Sequence, residues 1–354
     1  MPRTDSSGLD VRSAAHPRFT AGRGYLAACT LGLPATATIE AVERDLERWR
    51  TGRASAADYT AVVERARAHA AALLGTTADR VAVGSQVSPF VALAAASAPR
   101  GAEVVCVDGD FSSVVAPFLA RGDLRVRHAP LDALADAIGP STWLVAFSLV
   151  QSATGEVADA ASVIAAARDA GALVLVDTTQ ATGWMPTDDL DADLVVCHAY
   201  KWLSAPRGAA FLAVSDRAIA EIMPLTAGWY SGEDPWVSCY GPGLHLAAGA
   251  RRFDVSPAWH AWAGAEAALD VAASLDMPSV RTHDLALADA FRERIGLPAA
   301  ASAIVSWPDP EGCDLAALTA AGITASGRAG RARVAFHLWN DPEDVDRAAR
   351  ALGR

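Results

Sequence analysis

The chain has 354 residues, 52% of them hydrophobic and 20% charged, which suits one large globular domain and a smaller one. Its net charge of −11 argues against nucleic acid or an anionic membrane surface as a main partner, because both reward clustered Lys and Arg. The five cysteines (Cys29, Cys106, Cys197, Cys239 and Cys313) are scattered and show no CxxC or CxxH spacing, so neither a metal site nor a disulfide framework is expected. No uncharged apolar run of about 18–20 residues is present to span a bilayer, and the polar start lacks the apolar centre of a signal peptide. A soluble, cytoplasmic protein is the expectation.

In chain order, residues 1–18 read as a flexible arm within an N-terminal segment, 1–34. Helices are predicted over 35–50 and 56–74. Short β-branched runs follow at VAVG (81–84), EVVCVD (103–108), LRVRHAP (124–130), TWLVAFSLV (142–150), LVLVDTT (173–179), LVVCHAY (194–200) and AAFLAV (209–214). Between several of them lie Ala-rich stretches of helical period, such as 157–170, with Gly171 as C-cap. Continuous apolar strands separated by helices predict an α/β domain over 35–256, its mainly parallel sheet covered by helices on both faces. Residues 224–256 lose the pattern and are rich in Gly, Pro and Trp; loops this long are usually functional or contact another subunit. From 257 to 354 the sequence predicts a small α+β domain: two helices, the strands SAIVSW and RARVAFHLWN, and a final helix from about residue 340.

The strongest chemical signal lies between residues 173 and 212. One strand delivers Asp177 at its carboxyl end, followed by Thr178, Thr179 and Gln180; a second ends at Tyr200-Lys201, with a Pro206-Arg207-Gly208 turn beyond. Ligands of open α/β sheets bind outside the carboxyl ends of strands, so both residues face one crevice. A lysine and a carboxylate in that relation suit pyridoxal 5′-phosphate (PLP). The amine forms a Schiff base with its aldehyde, and the carboxylate keeps the pyridine nitrogen protonated. Gln180 is placed to hydrogen-bond the phenolic oxygen. Taken singly, Asp177 reads more readily as a strand-end cap or salt-bridge partner and Lys201 as a surface charge at a strand terminus; the combination is what carries the signal.

DTTQ, HAYKW and PRG in this order resemble the class V aminotransferases, a fold type I PLP family that includes cysteine desulfurases, selenocysteine lyases, kynureninases and isopenicillin-N epimerase-like enzymes. The resemblance runs from about residue 25 to the C-terminus and implies a homodimer with active sites at the subunit interface. VAVGSQVS resembles the family's phosphate loop, making Ser85, Gln86 and Val87 phosphate candidates at a helix start. His198 and Tyr200 match phosphate partners on the lysine strand, and Phe111 in DGDFSSV matches the ring that stacks on the cofactor. RRFDVSPAW, with Arg252 and Ser256, resembles the loop that reaches the partner's phosphate. GWYSG, with Trp229, resembles a loop that closes over substrate. YLAACTLGLP, with Cys29 and Thr30, resembles the kynureninase segment that borders the substrate, but it lacks that segment's Asp, Gly and Asn. Arg333 matches the arginine that binds the substrate α-carboxylate, with Arg328 and Arg331 as open alternatives.

Desulfurases carry a nucleophilic cysteine just before that arginine. Here ITASGRAGRARV carries none, so a persulfide-forming desulfurase is not expected. A PLP-dependent lyase or hydrolase cleaving an α-amino acid at Cβ, kynureninase-like or C–S lyase-like, is the first expectation. An epimerase or aminotransferase of the same family stands beside it. A dinucleotide-binding reading fails because Gly22-Arg23-Gly24 follows no strand, and a non-catalytic scaffold sits poorly with Asp177, Lys201 and Arg333.

Overall fold

The computed structural model describes residues 18–19, 22–243 and 245–354; the arm expected over 1–18 lies outside them except for Arg18. Two helices come first, α1 (Thr36–Arg50) and α2 (Ala56–Leu73), the second capped by Ser55, whose side chain accepts from Asp58 N. The large sheet follows: β1 (Val81–Gly84), α3 (Val87–Ser97), β2 (Glu103–Val107), α4 (Ser112–Ala120), β3 (Arg125–Ala129), β4 (Thr142–Ser148), α5 (Ala160–Ala170), β5 (Leu173–Asp177), β6 (Leu194–His198), β7 (Ala210–Val214) and the short α6 (Asp216–Glu221). Its order is β1-β7-β6-β5-β4-β2-β3. Only β7 among these strands runs against its neighbours, pairing antiparallel with both β6 and β1.

Every residue of β1, β2, β5, β6 and β7 is buried, as strands covered on both faces must be. One face packs under α3 and α4 through Phe90, Val114 and Phe118. On the opposite side, α2 and α7 (Trp259–Ala273) cover β1 and β7, and α5 covers the β4–β5 region. α7 lies against α1 and α2, so the helix that opens the C-terminal part packs on the large sheet.

α5 starts three residues later than its apolar pattern suggests, because the Asp159 side chain caps it at Ser162 N; Gly171 ends it at φ 72°, a left-handed turn that suits glycine. Among the described residues of 224–256 the chain forms three single turns, Trp229–Ser231, Val237–Cys239 and Ala250–Phe253, and no longer element. They are tied to β1 by a buried pair: Arg67 donates to both carboxylate oxygens of Asp254 (2.6 and 3.1 Å), and Asp254 accepts from Val83 N at 2.8 Å.

The second core is built on α8 (Met277–Arg294), β8 (Ile304–Pro308), α9 (Cys313–Ala320), β9 (Ser326–Arg328), β10 (Arg331–Ala335) and α10 (Pro342–Ala351), with sheet order β8-β10-β9. The sequence pattern gave no sign of α9 or β9, which are short and weakly amphipathic. β10 also stops at Ala335, short of the full apolar run, because His337 N turns back to Asn340 Oδ1 at 3.0 Å. The N-terminal segment then crosses between the two parts. It makes bridges to Thr324 and to Ala335 of β10, and it ends against the loop after β6, where Gly32 N donates to Tyr200 O at 2.9 Å. Glycine is required there, since a Cβ on residue 32 would collide with Lys201 O.

Candidate active site

The carboxyl ends of β4, β5 and β6 open on one cavity with about 150 Å³ for the centres of water-sized molecules. Gln86, Val87, Phe111, Asp177, Gln180, His198, Tyr200 and Lys201 all line it, as their strand-end positions predict. Ser88, Ser113, Ser148, Val150, Ser152, Thr179 and Arg207 complete the lining and were not anticipated. Ser85, Trp229 and Ser256 are described but lie outside it. Ser85 sits just before Gln86; Trp229 packs on Tyr230 and Trp236 (5.1 and 5.3 Å between centroids); Ser256 is solvent-exposed.

Lys201 is 5% exposed, with Nζ 5.4 Å from the Phe111 ring centroid and 5.7 Å from that of Tyr200. Burial lowers its pKa to about 8, against the opposing pull of Asp177. Asp177 is also buried, which raises its pKa to about 6, although Thr179 N donates to Oδ1 at 2.8 Å. His198 falls to about 4 through burial and the nearby Arg207 and Lys201 charges, so at neutral pH it is an uncharged ring. Phe111 is fixed from below by Asp110, which accepts from Phe111 N (2.6 Å), Ser148 N (2.8 Å) and Ser148 Oγ (2.6 Å). That contact joins the start of α4 to the end of β4.

Gln180 is held on three sides. Its Nε2 donates to Cys29 O (2.9 Å) and Ser152 Oγ (3.1 Å), while its Oε1 accepts from Trp202 Nε1 (2.9 Å). Ser152 also receives Arg333, whose Nη1 donates to the backbone oxygen of Ser152 and to its Oγ. Arg333 is 1% exposed and further donates to Thr30 Oγ1 (2.9 Å) and Ser326 Oγ (3.1 Å). Thus Cys29, Thr30 and Arg333 stand directly behind the cavity wall. Arg331 turns away to Ser306, and Arg328 is exposed, donating to Gly327 O.

Over residues 47–311, three quarters of its length, the sequence matches the pattern of "Aminotransferase class-V". The chain belongs to that family. Among class V relatives, a kynureninase of Deinococcus radiodurans is 34% identical over 259 residues, covering 70% of this chain and 62% of its own length. The match therefore spans under two thirds of that relative. An isopenicillin N epimerase of Streptomyces clavuligerus is 26% identical over 344 residues, covering 83% of this chain and 85% of that one. In fold, the chain superposes on the cystine C-S lyase C-DES in complex with its reaction product cysteine persulfide (TM-score 0.84, 21% identity, 94% and 98% covered). It also superposes on the Escherichia coli cysteine desulfurase CsdA (TM-score 0.83, 21% identity, 98% of each chain). The fold is that of PLP enzymes of fold type I.

As a class V protein the chain takes PLP as cofactor, and its residues fit that group. α3 begins with no side-chain cap, so its first backbone N–H groups are open to a phosphate. His198 Nε2 is buried without a partner, an orphan that a ligand atom would satisfy. Arg207 adds a guanidinium to the same wall, and Asp177 and Lys201 supply the carboxylate and the amine. Among the described residues no group of three or more His, Cys, Asp or Glu is arranged to hold a metal ion, and no helix is long and apolar enough to cross a membrane.

Proposed function

We propose that the protein is a PLP-dependent enzyme that cleaves an α-amino acid at Cβ, kynureninase-like or C–S lyase-like, and forms no persulfide on a cysteine of its own. The observation that carries this reading is the wall beside Lys201: the next residue, Trp202, donates to Gln180, and Gln180 and Arg333 both donate to Ser152 Oγ. It puts a carboxylate-binding guanidinium within reach of the amine while leaving the loop before Arg333 without a thiol. Cys313, the nearest cysteine upstream, is exposed at the start of α9.

When bound, PLP supplies an aldehyde for amine capture and a ring that accepts an electron pair from Cα. The protein does the rest. Asp177 would pair with the ring nitrogen and, kept ionised by that contact, hold a proton there. Arg333 orients the substrate by its α-carboxylate, exchanging its hydroxyl contacts with Thr30 and Ser326 for a bidentate pair. Lys201 would anchor the cofactor, and its free amine would accept the Cα proton; its pKa of about 8 suits an amine that must act in both states near neutral pH. Gln86, Val87, Ser88, His198 and Arg207 would secure the phosphate, and the Phe111 ring would pack against the cofactor. Ser256 and Arg252 belong to the neighbouring subunit's site in a homodimer, and the setting is cytoplasmic.

A second reading, epimerase or aminotransferase, is favoured by the longer match to the isopenicillin N epimerase, and shares every residue role up to loss of the Cα proton. Incubating the holoenzyme with a panel of amino acids and S-conjugates separates the two. Ammonia with pyruvate or a β-cleaved fragment supports the first; racemisation, or transfer of the amine to a keto acid without cleavage, supports the second.

A further inference from the structure

The lysine loop is a short turn whose backbone is held largely from outside. Lys201 O accepts from Ser204 N within the turn (2.9 Å), and Ser204 sits at φ 55°, a left-handed conformation that non-glycine residues adopt at a cost. The flanking carbonyls are held by other parts of the chain. Tyr200 O accepts from Gly32 N of the N-terminal segment, and Trp202 O faces His337 Nε2 at 3.0 Å. His337 follows β10, and its Nδ1 lies 2.7 Å from Asp284 Oδ2 on α8. Both residues are fully buried.

The hydrogen count at this couple follows from its partners. A backbone carbonyl can only accept, so Nε2 of His337 carries a hydrogen. The Nδ1–Oδ2 contact then holds a second, shared proton, whichever atom owns it, and the couple as a whole is uncharged. That removes the cost of an isolated ion in this apolar surrounding, where the Trp202 and Trp339 rings lie 5.1 and 5.0 Å from the imidazole. The other charge-capable neighbour of Asp284 is His283, next on the same helix. Nothing in the proposed chemistry uses the couple, yet it makes the hydrogen bond that joins the small sheet's core to the residue after Lys201. The Trp202 ring carries the link onward, donating to the Gln180 amide in the cavity wall.

We propose that His337, backed by Asp284, is a positioning residue for Lys201: it fixes the Trp202 carbonyl and so sets the backbone from which the lysine projects. This rests on the reading of Lys201 as the cofactor's anchor, so borohydride mapping of the wild-type holoenzyme comes first. With label found at Lys201, any failure below belongs to the positioning role alone. Four readings are then taken on each holoenzyme variant: thermal unfolding, kcat, KM, and the pH midpoint at which the visible cofactor band titrates. His337→Ala and Asp284→Ala should lower kcat by about tenfold to about a hundredfold, leave KM within about twofold and move the band's midpoint. Asp284→Asn should keep the wild-type midpoint and kcat, because its amide can donate to Nδ1 and hold Nε2–H on Trp202 O without an ionisable proton. A folded His337→Ala with a wild-type band titration and kcat overturns the proposal, even if its unfolding temperature falls. Should that variant not fold, the Asp284→Ala and Asp284→Asn pair decides: identical midpoints in the two overturn it equally.

Discussion

Lys201 and Asp177 are both cut off from water, and burial pushes each toward its neutral form: the amine to about 8, the carboxyl to about 6. Below about pH 8 most of the apoprotein's amine is protonated, and only the neutral fraction attacks an aldehyde. Capture of added PLP, followed by visible absorbance, should therefore speed up as pH rises and level off above about 8. Asp177 opposes the shift at Lys201, so Asp177→Asn should move the capture midpoint lower; an unchanged or higher midpoint would separate the two groups. In the same variant, turnover should fall by more than about tenfold, roughly 1.4 kcal/mol in barrier, because the ring nitrogen loses its proton's partner. These two residues were legible because a strand-end Asp and a strand-end Lys are unusual neighbours at one crevice. Ser152 and Asp110 were not: a serine and an aspartate in a loop look the same whether they cap a turn or build a site. Only the contacts to Gln180, Arg333 and Ser148 reveal their roles.

At the scale of elements, the large sheet could be read almost strand by strand, since strands buried on both faces need continuous apolar runs. The irregular stretch from 224 to 256 could not, because long-range contacts hold it and no local period exists to detect. Its main tether is the Arg67–Asp254 pair, with Arg67 2% exposed and Asp254 fully buried. Arg67→Met strips the buried Asp254 carboxylate of its hydrogen-bonded cation, leaving only Val83 N and the more distant Arg251 at 3.8 Å. A loss of about 3–5 kcal/mol, measured by denaturant unfolding, is expected, with weakened cofactor binding because Asp254 also fixes β1 just ahead of the phosphate loop. The N-terminal crossing offers a second test of element docking. Gly32→Ala drives a methyl group into Lys201 O, so cofactor should be lost from the purified protein even where the fold persists. Retained cofactor at wild-type affinity would show that the crossing does not register the lysine loop.

For the whole molecule, the open side of the cavity matters. Phe111 is 42% exposed, and Trp236, Val237 and Tyr240 stand out from the irregular stretch, with the exposed Ser256 farther along the chain. The proposed homodimer would cover such surfaces and bring each chain's 252–256 loop to the other's phosphate. Mixing inactive Lys201→Ala protomers with an inactive Arg252→Ala/Ser256→Ala variant should restore activity through heterodimers that combine both intact halves. No recovery despite proven subunit exchange, or a fully active monomer, would contradict the shared site. Every role assigned around the cavity depends on Lys201 as the cofactor's anchor. The direct test is borohydride reduction of the holoenzyme followed by peptide mapping. The cofactor is expected on the peptide containing Lys201 and to be absent from Lys201→Ala. Cofactor fixed to another residue, or a protein that stays colourless and unlabelled after incubation with PLP, would contradict it.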